Sequence, residues 1–325
     1  MLRKILVNGL LFMITALSVY LILFAILFFI APGGIPLIYR TSKGNVWEGG
    51  GTYVKFREFN CNEKWDIVIL GSSHAYRGYD PRIFAEKGYK TFNLGTSDQN
   101  MMCSYYIAKN YVNRSNCRMV ILDLYDRVFT QQNLESMSDV VHNITSDKAA
   151  FQVAMSSRDI RGLNMFTLRQ FNKLRPPLNT DTTGFIRGFF PTSTYLTPPA
   201  KKRIVWKYHT NEFQMEYFRR LIEYLQSEGI QLVLAEHPMP ALYTPQDHPL
   251  FVADIQKIAD EYKVPYLDYM NDSSMTGILY FADETHLNVR GVTAYNNKLI
   301  SEMITRNILP ARKATPSTIN TNVHE

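Results

Sequence analysis

The chain has 325 residues, 46% of them hydrophobic, and a formal net charge of +6. That is enough apolar material for a sizeable core, which excludes an intrinsically disordered chain, and the length allows a membrane anchor plus one large domain or two small ones. Three cysteines are too few for a disulfide framework, and with no Walker A motif and no Gly-x-Gly-x-x-Gly after a strand, nucleotide-dependent chemistry is not expected.

In chain order, the first segment is the most strongly patterned. From Ile5 to Ile30 the sequence is almost uninterruptedly apolar and carries no charge. At about 1.5 Å per residue it is long enough to cross a bilayer with some tilt. It runs through Phe28-Phe29-Ile30 into Ala31-Pro32-Gly33-Gly34 rather than ending in an A-x-A cleavage pattern, so residues 1–34 read as an uncleaved anchor. Arg3 and Lys4 precede it, while Arg40 and Lys43 follow, so the charge rule is not lopsided; the expected topology is amino terminus inside and domain outside. Residues 35–63, with Gly44 and Gly49 to Gly51, read as a flexible spacer, or else as an edge hairpin through Tyr53 to Phe59.

Next comes DIVILGSSHAYRGYDPRIF, Asp66 to Phe84. The β-branched run Ile67 to Leu70 is too short for a helix and stops at Gly71, which predicts a buried parallel strand over 66–70 ending in a turn. A helix follows over about 81–88, with Asp80 as its cap and Pro81 at its first position. Further strands are expected at 90–94, 119–124, 231–235 and 265–269. Helices alternate with them at about 100–112, 212–227 and 250–262, and a last one covers 289–308. Such alternation indicates a parallel sheet with crossover helices, and residues 64–309 form one α/β domain. The tail, 310–325, is polar and reads as disordered.

Ser72, Ser73 and His74 then lie at the carboxyl end of a strand, where open α/β sheets place their ligands. A serine hydroxyl acts as a nucleophile only when a base takes its proton. FADETHLN, residues 281–288, supplies one candidate, because Asp283 three residues before His286 lets one loop present an imidazole while a carboxylate holds its other nitrogen. Alternatively, the serine hydroxyls only cap the next turn and His286 is a loop histidine.

Gly71-Ser72-Ser73, Asn93-Leu94-Gly95 and Asp283-Glu284-Thr285-His286 occur in the block order of the SGNH (GDSL-type) hydrolases. The chain resembles that superfamily over roughly 64–308, and more closely its membrane-anchored bacterial branch of DltD-like and alginate-acetylation-like proteins. The resemblance implies a three-layer flavodoxin-like sheet and an extracytoplasmic serine O-acyltransferase or esterase. Ser73 would be the nucleophile, with His286 and Asp283 completing the triad and the Ser73 and Gly95 N–H groups the oxyanion hole. The family's Gly-x-Asn block after the third strand is missing: residues 121–127 read ILDLYDR, so either a weaker two-donor hole operates, or Arg127 or a side chain from the insertion supplies the third donor. Implied partners are the membrane, a cell-surface glycan or other anionic polymer, and a multispanning membrane acyltransferase. Nucleic acid and cofactors are not expected. The other class of reading is a catalytically silent scaffold that assists such an acyltransferase or binds polymer.

Residues 129–209 are irregular and read as an insertion above the sheet. Between Arg158 and Lys207 there are ten Lys or Arg and two Asp, interleaved with Phe166, Phe171, Phe185, Phe189, Phe190, Tyr195, Trp206 and Tyr208. This is either a polymer-binding surface or a basic face over a small aromatic core. His74 and His237 are further possible substrate contacts, and His74 could equally pack. His237 and His248, beside Glu236 and Asp247, match no compact ligand spacing, so no metal is assigned. Cys61 and Cys117 precede strands that are neighbours in a flavodoxin-like order, so they either form a bridge or remain free thiols.

Overall fold

A computed structural model describes residues 1–41, 50–130, 134–175, 184–197, 207–241, 243, 245 and 247–312. The expectations for Trp206, for the spacer at 42–49 and for the tail from 313 onward lie outside these residues.

The first helix, α1 (Leu2–Phe29), is almost entirely exposed, and is long and apolar enough to cross a membrane. Then α2 (Gly50–Glu58) forms where a flexible spacer or hairpin was expected. The two glycines at its start, Gly50 and Gly51, disfavour a helix locally, and tertiary burial overrides them. Phe56 stacks on Tyr111 with centroids 5.0 Å apart, and Phe59, just past the helix, packs on Trp65 and Phe92.

The domain continues as β1 (Trp65–Leu70), α3 (Ser73–Gly78), α4 (Pro81–Glu86), β2 (Thr91–Asn93), α5 (Met101–Tyr111) and β3 (Cys117–Asp123). After β3 come four helices, α6 (Asp126–Thr130), α7 (Leu134–Asn143), α8 (Asp147–Ser156) and α9 (Ile160–Asn172). The α/β rhythm returns with α10 (Glu212–Ser227), β4 (Gln231–Glu236), α11 (His248–Tyr262), β5 (Tyr266–Asp268) and α12 (Val289–Thr305).

All five strands are parallel, in the order β2-β1-β3-β4-β5. This is the flavodoxin-like order, with the chain reversing direction across the sheet between β1 and β3. Alternate side chains serve the two faces. Val68, Leu70, Val120, Leu122, Leu232 and Leu234 join α5, α10 and α11 in one core. On the other face, Ile67, Ile69, Ile121 and Val233 join α3, α4 and α12. The result is the expected three-layer α/β sandwich.

The insertion departs from the expectation of a cap above the sheet. Met137, Val140, Val141 and Val153 of α7 and α8 are buried in the same core as α5, so these helices extend one side layer. Residues 184–197 instead run along the top of the molecule as a strap. Arg187 O accepts the Asn93 N–H, and the Phe190 N–H donates to Tyr76 O. Farther on, the Leu196 N–H donates to Phe281 O and Thr192 O accepts from Val289 N–H. Most of the described insertion aromatics are packed away: Phe189 and Tyr208 are buried, Phe185 and Phe190 pair with each other, and Phe171 lies on α1. Tyr195 and Phe151 are exposed.

β1 and β3 are neighbours as expected, yet all three cysteines are free thiols. Cys61 is exposed, while Cys103 and Cys117 are buried in apolar surroundings that push both thiols up to about 12.

Candidate active site

Two loops at the carboxyl end of the sheet carry the site. The first leaves β1 at Gly71 and enters α3 directly. Ser72 is the cap of this helix, its Oγ accepting the His74 N–H at 3.3 Å, so its hydroxyl is committed to the backbone. Ser73, the first residue of α3, points elsewhere. Of the two serines, one therefore caps and the other is left for a distant partner.

The second loop is locked by its own side chains. Asn288, fully buried, donates from Nδ2 to Leu279 O at 3.0 Å and to Phe281 O at 3.1 Å, while its Oδ1 caps Gly291 N–H at the start of α12. Asp283 Oδ1 accepts the N–H groups of Thr285 and His286, both at 2.9 Å. This turn aims the His286 ring at α3.

The His286 Nδ1–H donates to the Asp283 carboxylate at 2.9 Å, and Nε2 faces Ser73 Oγ at 2.8 Å. With the proton on Nδ1, the Nε2 lone pair accepts from the Ser73 hydroxyl. Burial pushes the Asp283 carboxyl up, but the hydrogen bond and charge of His286, with the two N–H groups, more than offset it and hold it well below the usual carboxylate range. Arg77, which sequence reasoning missed, stands with Nη1 3.7 Å from Asp283 Oδ2. It lies four residues after Ser73, one turn on along α3, and an expected helix starting at Ser73 would have pointed to it.

His74 and His237 do not line open surface. Both are 2% exposed. The His74 ring is stacked between Tyr125 and His237, with centroids 4.0 Å away on each side, and its edge meets His286 at 5.5 Å. His237 Nδ1 bonds Pro238 O at 2.8 Å. Desolvation lowers both, His237 to about 4, so both rings are neutral at pH 7. The expectation that they contact substrate gives way to packing: they are the floor beneath His286. Arg127 is exposed on α6, at the rim near Tyr125 and Asp98.

The oxyanion-hole expectation also needs revision. The Gly95 N–H donates to Asn93 Oδ1 at 3.0 Å, and Asn93 Nδ2 donates to Ala75 O and Tyr79 O, so this asparagine ties the β2 turn to α3. The Ser73 N–H has no such partner among the described residues. Behind the turn, Lys55 of α2 is buried and donates from Nζ to Gly95 O. It sits 4.8 Å from the Tyr76 ring centroid, and desolvation lowers it to about 7 against the opposing pull of Asp139 and Glu58. No local signal in the sequence marks a buried lysine here.

One other cluster bears metal-ligating groups. Ligand atoms of Glu236, His248 and Asp268 lie within 4.8 Å of one another. The His248 ring bridges two carboxylates, Nε2 at 3.1 Å from Asp268 and Nδ1 at 3.7 Å from Glu236. The partners therefore differ from the His237 and Asp247 considered from sequence. Only the Nε2 contact is a hydrogen bond: His248 Nδ1 and Glu236 Oε2 are buried with no hydrogen-bond partner among the described residues.

Fold and site together define an α/β protein with a serine, a histidine and an aspartate in hydrogen-bonded series at the top of a parallel sheet. No protein-family profile and no curated protein matches the sequence. Among solved structures, the chain is similar to a Bacteroides fragilis protein assigned as an acylhydrolase, at 13% identity and a TM-score of 0.40, covering 79% of this chain and 95% of that one. It is also similar to a GDSL-like lipase from Bacteroides thetaiotaomicron, at 12% identity and a TM-score of 0.38, covering 73% and 88%.

Proposed function

We propose that this protein is a membrane-anchored serine esterase or O-acyltransferase of the SGNH type, its domain outside the cytoplasmic membrane, acting on acyl esters of a cell-envelope polysaccharide or related polymer. The observation that carries the reading is the pair of contacts at His286, 2.8 Å to Ser73 Oγ and 2.9 Å to Asp283.

In this mechanism Ser73 Oγ attacks the ester carbonyl carbon while its proton passes to His286 Nε2. Asp283 holds the ring with Nε2 free and stabilises the imidazolium. Collapse of the tetrahedral intermediate breaks the bond to the leaving alcohol, which takes the proton from Nε2 and leaves a Ser73 ester. Water or a sugar hydroxyl then gives its proton to His286 and receives the acyl group, and as the bond to Ser73 Oγ breaks that proton passes from Nε2 to Oγ, regenerating Ser73. The Ser73 N–H is the candidate oxyanion donor from the main chain. A developing oxyanion with one such donor forfeits on the order of 3 kcal/mol against a site with a further one. Slow turnover, or turnover completed by a partner, is the expectation.

That same deficit favours the second reading, a silent scaffold that assists a multispanning membrane acyltransferase. Labelling with a serine-reactive fluorophosphonate separates the two. An esterase or transferase labels in the wild type and loses the label in both Ser73→Ala and His286→Ala; a folded wild type that does not label refutes the enzyme reading.

A further inference from the structure

The anchor does not stand clear of the domain. Tyr20 Oη donates to Asn164 Oδ1 at 2.9 Å, Phe24 and Phe28 each pack on Phe171 with centroids 5.4 Å apart, and Arg175 lies 5.1 Å over the Phe28 ring. Contacts therefore advance along both helices in the same direction, from Asn164 beside Tyr20 to Arg175 beside Phe28. α9 lies alongside the last turns of α1.

Depth follows from length. The charge-free stretch begins at Ile5, just past Arg3 and Lys4, which suit the headgroups of the far leaflet. Tyr20 is then about 22 Å along the helix axis at ~1.5 Å per residue. The hydrocarbon is about 30 Å thick, so the contact of Tyr20 with Asn164 falls short of its near boundary. Tilting α1 takes it deeper.

The surface of the domain at that level exposes large apolar side chains among charged ones. Ile160, one turn before Asn164 and so deeper still, is 72% exposed, and Met155 and Phe151 of α8 are 52% and 44% exposed. Leu174, beyond the end of α9, is 66% exposed. Exposed Arg158, Arg161 and Lys173 flank these side chains, and Arg161 is paired with Asp159. Apolar residues flanked by cations are what an interfacial helix presents to acyl chains and headgroups.

We infer that α9 and the end of α8 form a second membrane-contact element, embedded in the leaflet on the domain's side of the bilayer, with Ile160, Met155 and Phe151 among the acyl chains. The bilayer is the occupant because the patch is continuous with the anchor. A domain held at two places has a fixed orientation to the membrane, with its substrate limited to what reaches that height.

The test uses the full chain in lipid nanodiscs, in a Cys61→Ser background that leaves only the two buried cysteines. Single labels are placed through Ile160→Cys, Met155→Cys, Ile14→Cys in the anchor and Lys257→Cys on the exposed face of α11, and quenching by nitroxides on the lipid chains is measured. The expected result is quenching at 160 and 155 comparable to 14 and several-fold above 257. Labels at 160 and 155 that behave like 257, with 14 quenched, overturn the inference and leave the anchor intact. An unquenched label at 14 overturns the spanning reading of α1, and the inference with it. Neither outcome bears on Ser73 labelling.

Discussion

Lys55 offers a quantitative check on how tightly α2 is built into the site. Desolvation lowers its ammonium to about 7 in the folded chain, whereas the unfolded value is about 10.4. Between those values the unfolded chain binds more protons than the folded one, so the Lys55 contribution to stability rises with pH. Integrated from pH 7.0 to 8.5, the gain is about 1.6 kcal/mol for this group alone. The buried histidines add a smaller gain of the same sign near pH 7, and the buried thiols oppose it only near and above their unfolded value of about 8.5. Both contributions cancel when wild type is compared with Lys55→Met. The assay is urea unfolding in detergent micelles, followed by tryptophan fluorescence, for both proteins at the two pH values. Wild type should gain roughly 1.6 kcal/mol more than the variant between them. Equal gains would mean that Lys55 keeps its solution value, and hence that it does not lie desolvated behind Gly95.

Three further outcomes follow from the same geometry. Asp283→Asn keeps the size of the side chain but removes the charge that steadies the imidazolium and fixes its tautomer; the rate of fluorophosphonate labelling should fall roughly ten-thousand-fold, and an unchanged rate would remove Asp283 from the mechanism. Gly188 has φ +82°, and a Cβ there would sit 1.9 Å from Asn93 O, so Gly188→Ala should cost about 1–3 kcal/mol and expose the Asn93 amide, with hydrogen exchange as the readout. Unaltered protection at Asn93 would show that the strap does not depend on this approach. Burial raises the Asp123 carboxyl well above its usual range, outweighing the Tyr79 hydroxyl bonded to it at 2.8 Å. A group with a raised folded value weakens the fold above its unfolded value of about 3.9, so Asp123→Asn should melt no lower than wild type at pH 7, with any advantage shrinking toward pH 4. A lower melting temperature at pH 7 would contradict a neutral Asp123.

The strands were legible because a parallel sheet covered on both faces turns each strand into a short continuous apolar run, as at Ile67–Leu70 and Leu232–Ala235. The helix at 212–227 announced itself by its apolar stripe and the stop at Gly229; its cap, Asn211, which accepts the N–H groups of Phe213 and Gln214, emerges only from the structure. Short polar elements gave no such signal. α3 is six residues, Ser-His-Ala-Tyr-Arg-Gly, with no apolar period; its cap is Ser72, and the sequence offered two adjacent serines for that task. α2 is held by Phe56 and Lys55, whose burial depends on Tyr111 and Gly95. The candidate site was readable as residue types in order. Which hydroxyl caps, which N–H stays open and which imidazoles are buried are decided by side-chain contacts such as Asn93 to Gly95, and no spacing encodes them.

Burial does more at this sheet top than fill space, because it selects where charge can reside. His74 and His237 are kept neutral, and Asp123 and Glu236 are pushed up toward their protonated forms, all with desolvation as the largest cause. The partly exposed Asp283 is driven the other way by its bonds to His286 and the loop. A proton arriving on His286 Nε2 would therefore meet the Asp283 carboxylate on the far side of the ring, 2.9 Å from Nδ1 and 3.7 Å from the Arg77 guanidinium, and two uncharged rings beneath it that neither repel it nor compete for it at neutral pH. Under the proposed mechanism, in a medium of low effective dielectric, that asymmetry would give direction to proton transfer from Ser73. Placing a second charge in the floor would undo it, so the aromatic stacking around His74 belongs to the same electrostatic arrangement as the Asp283 contact.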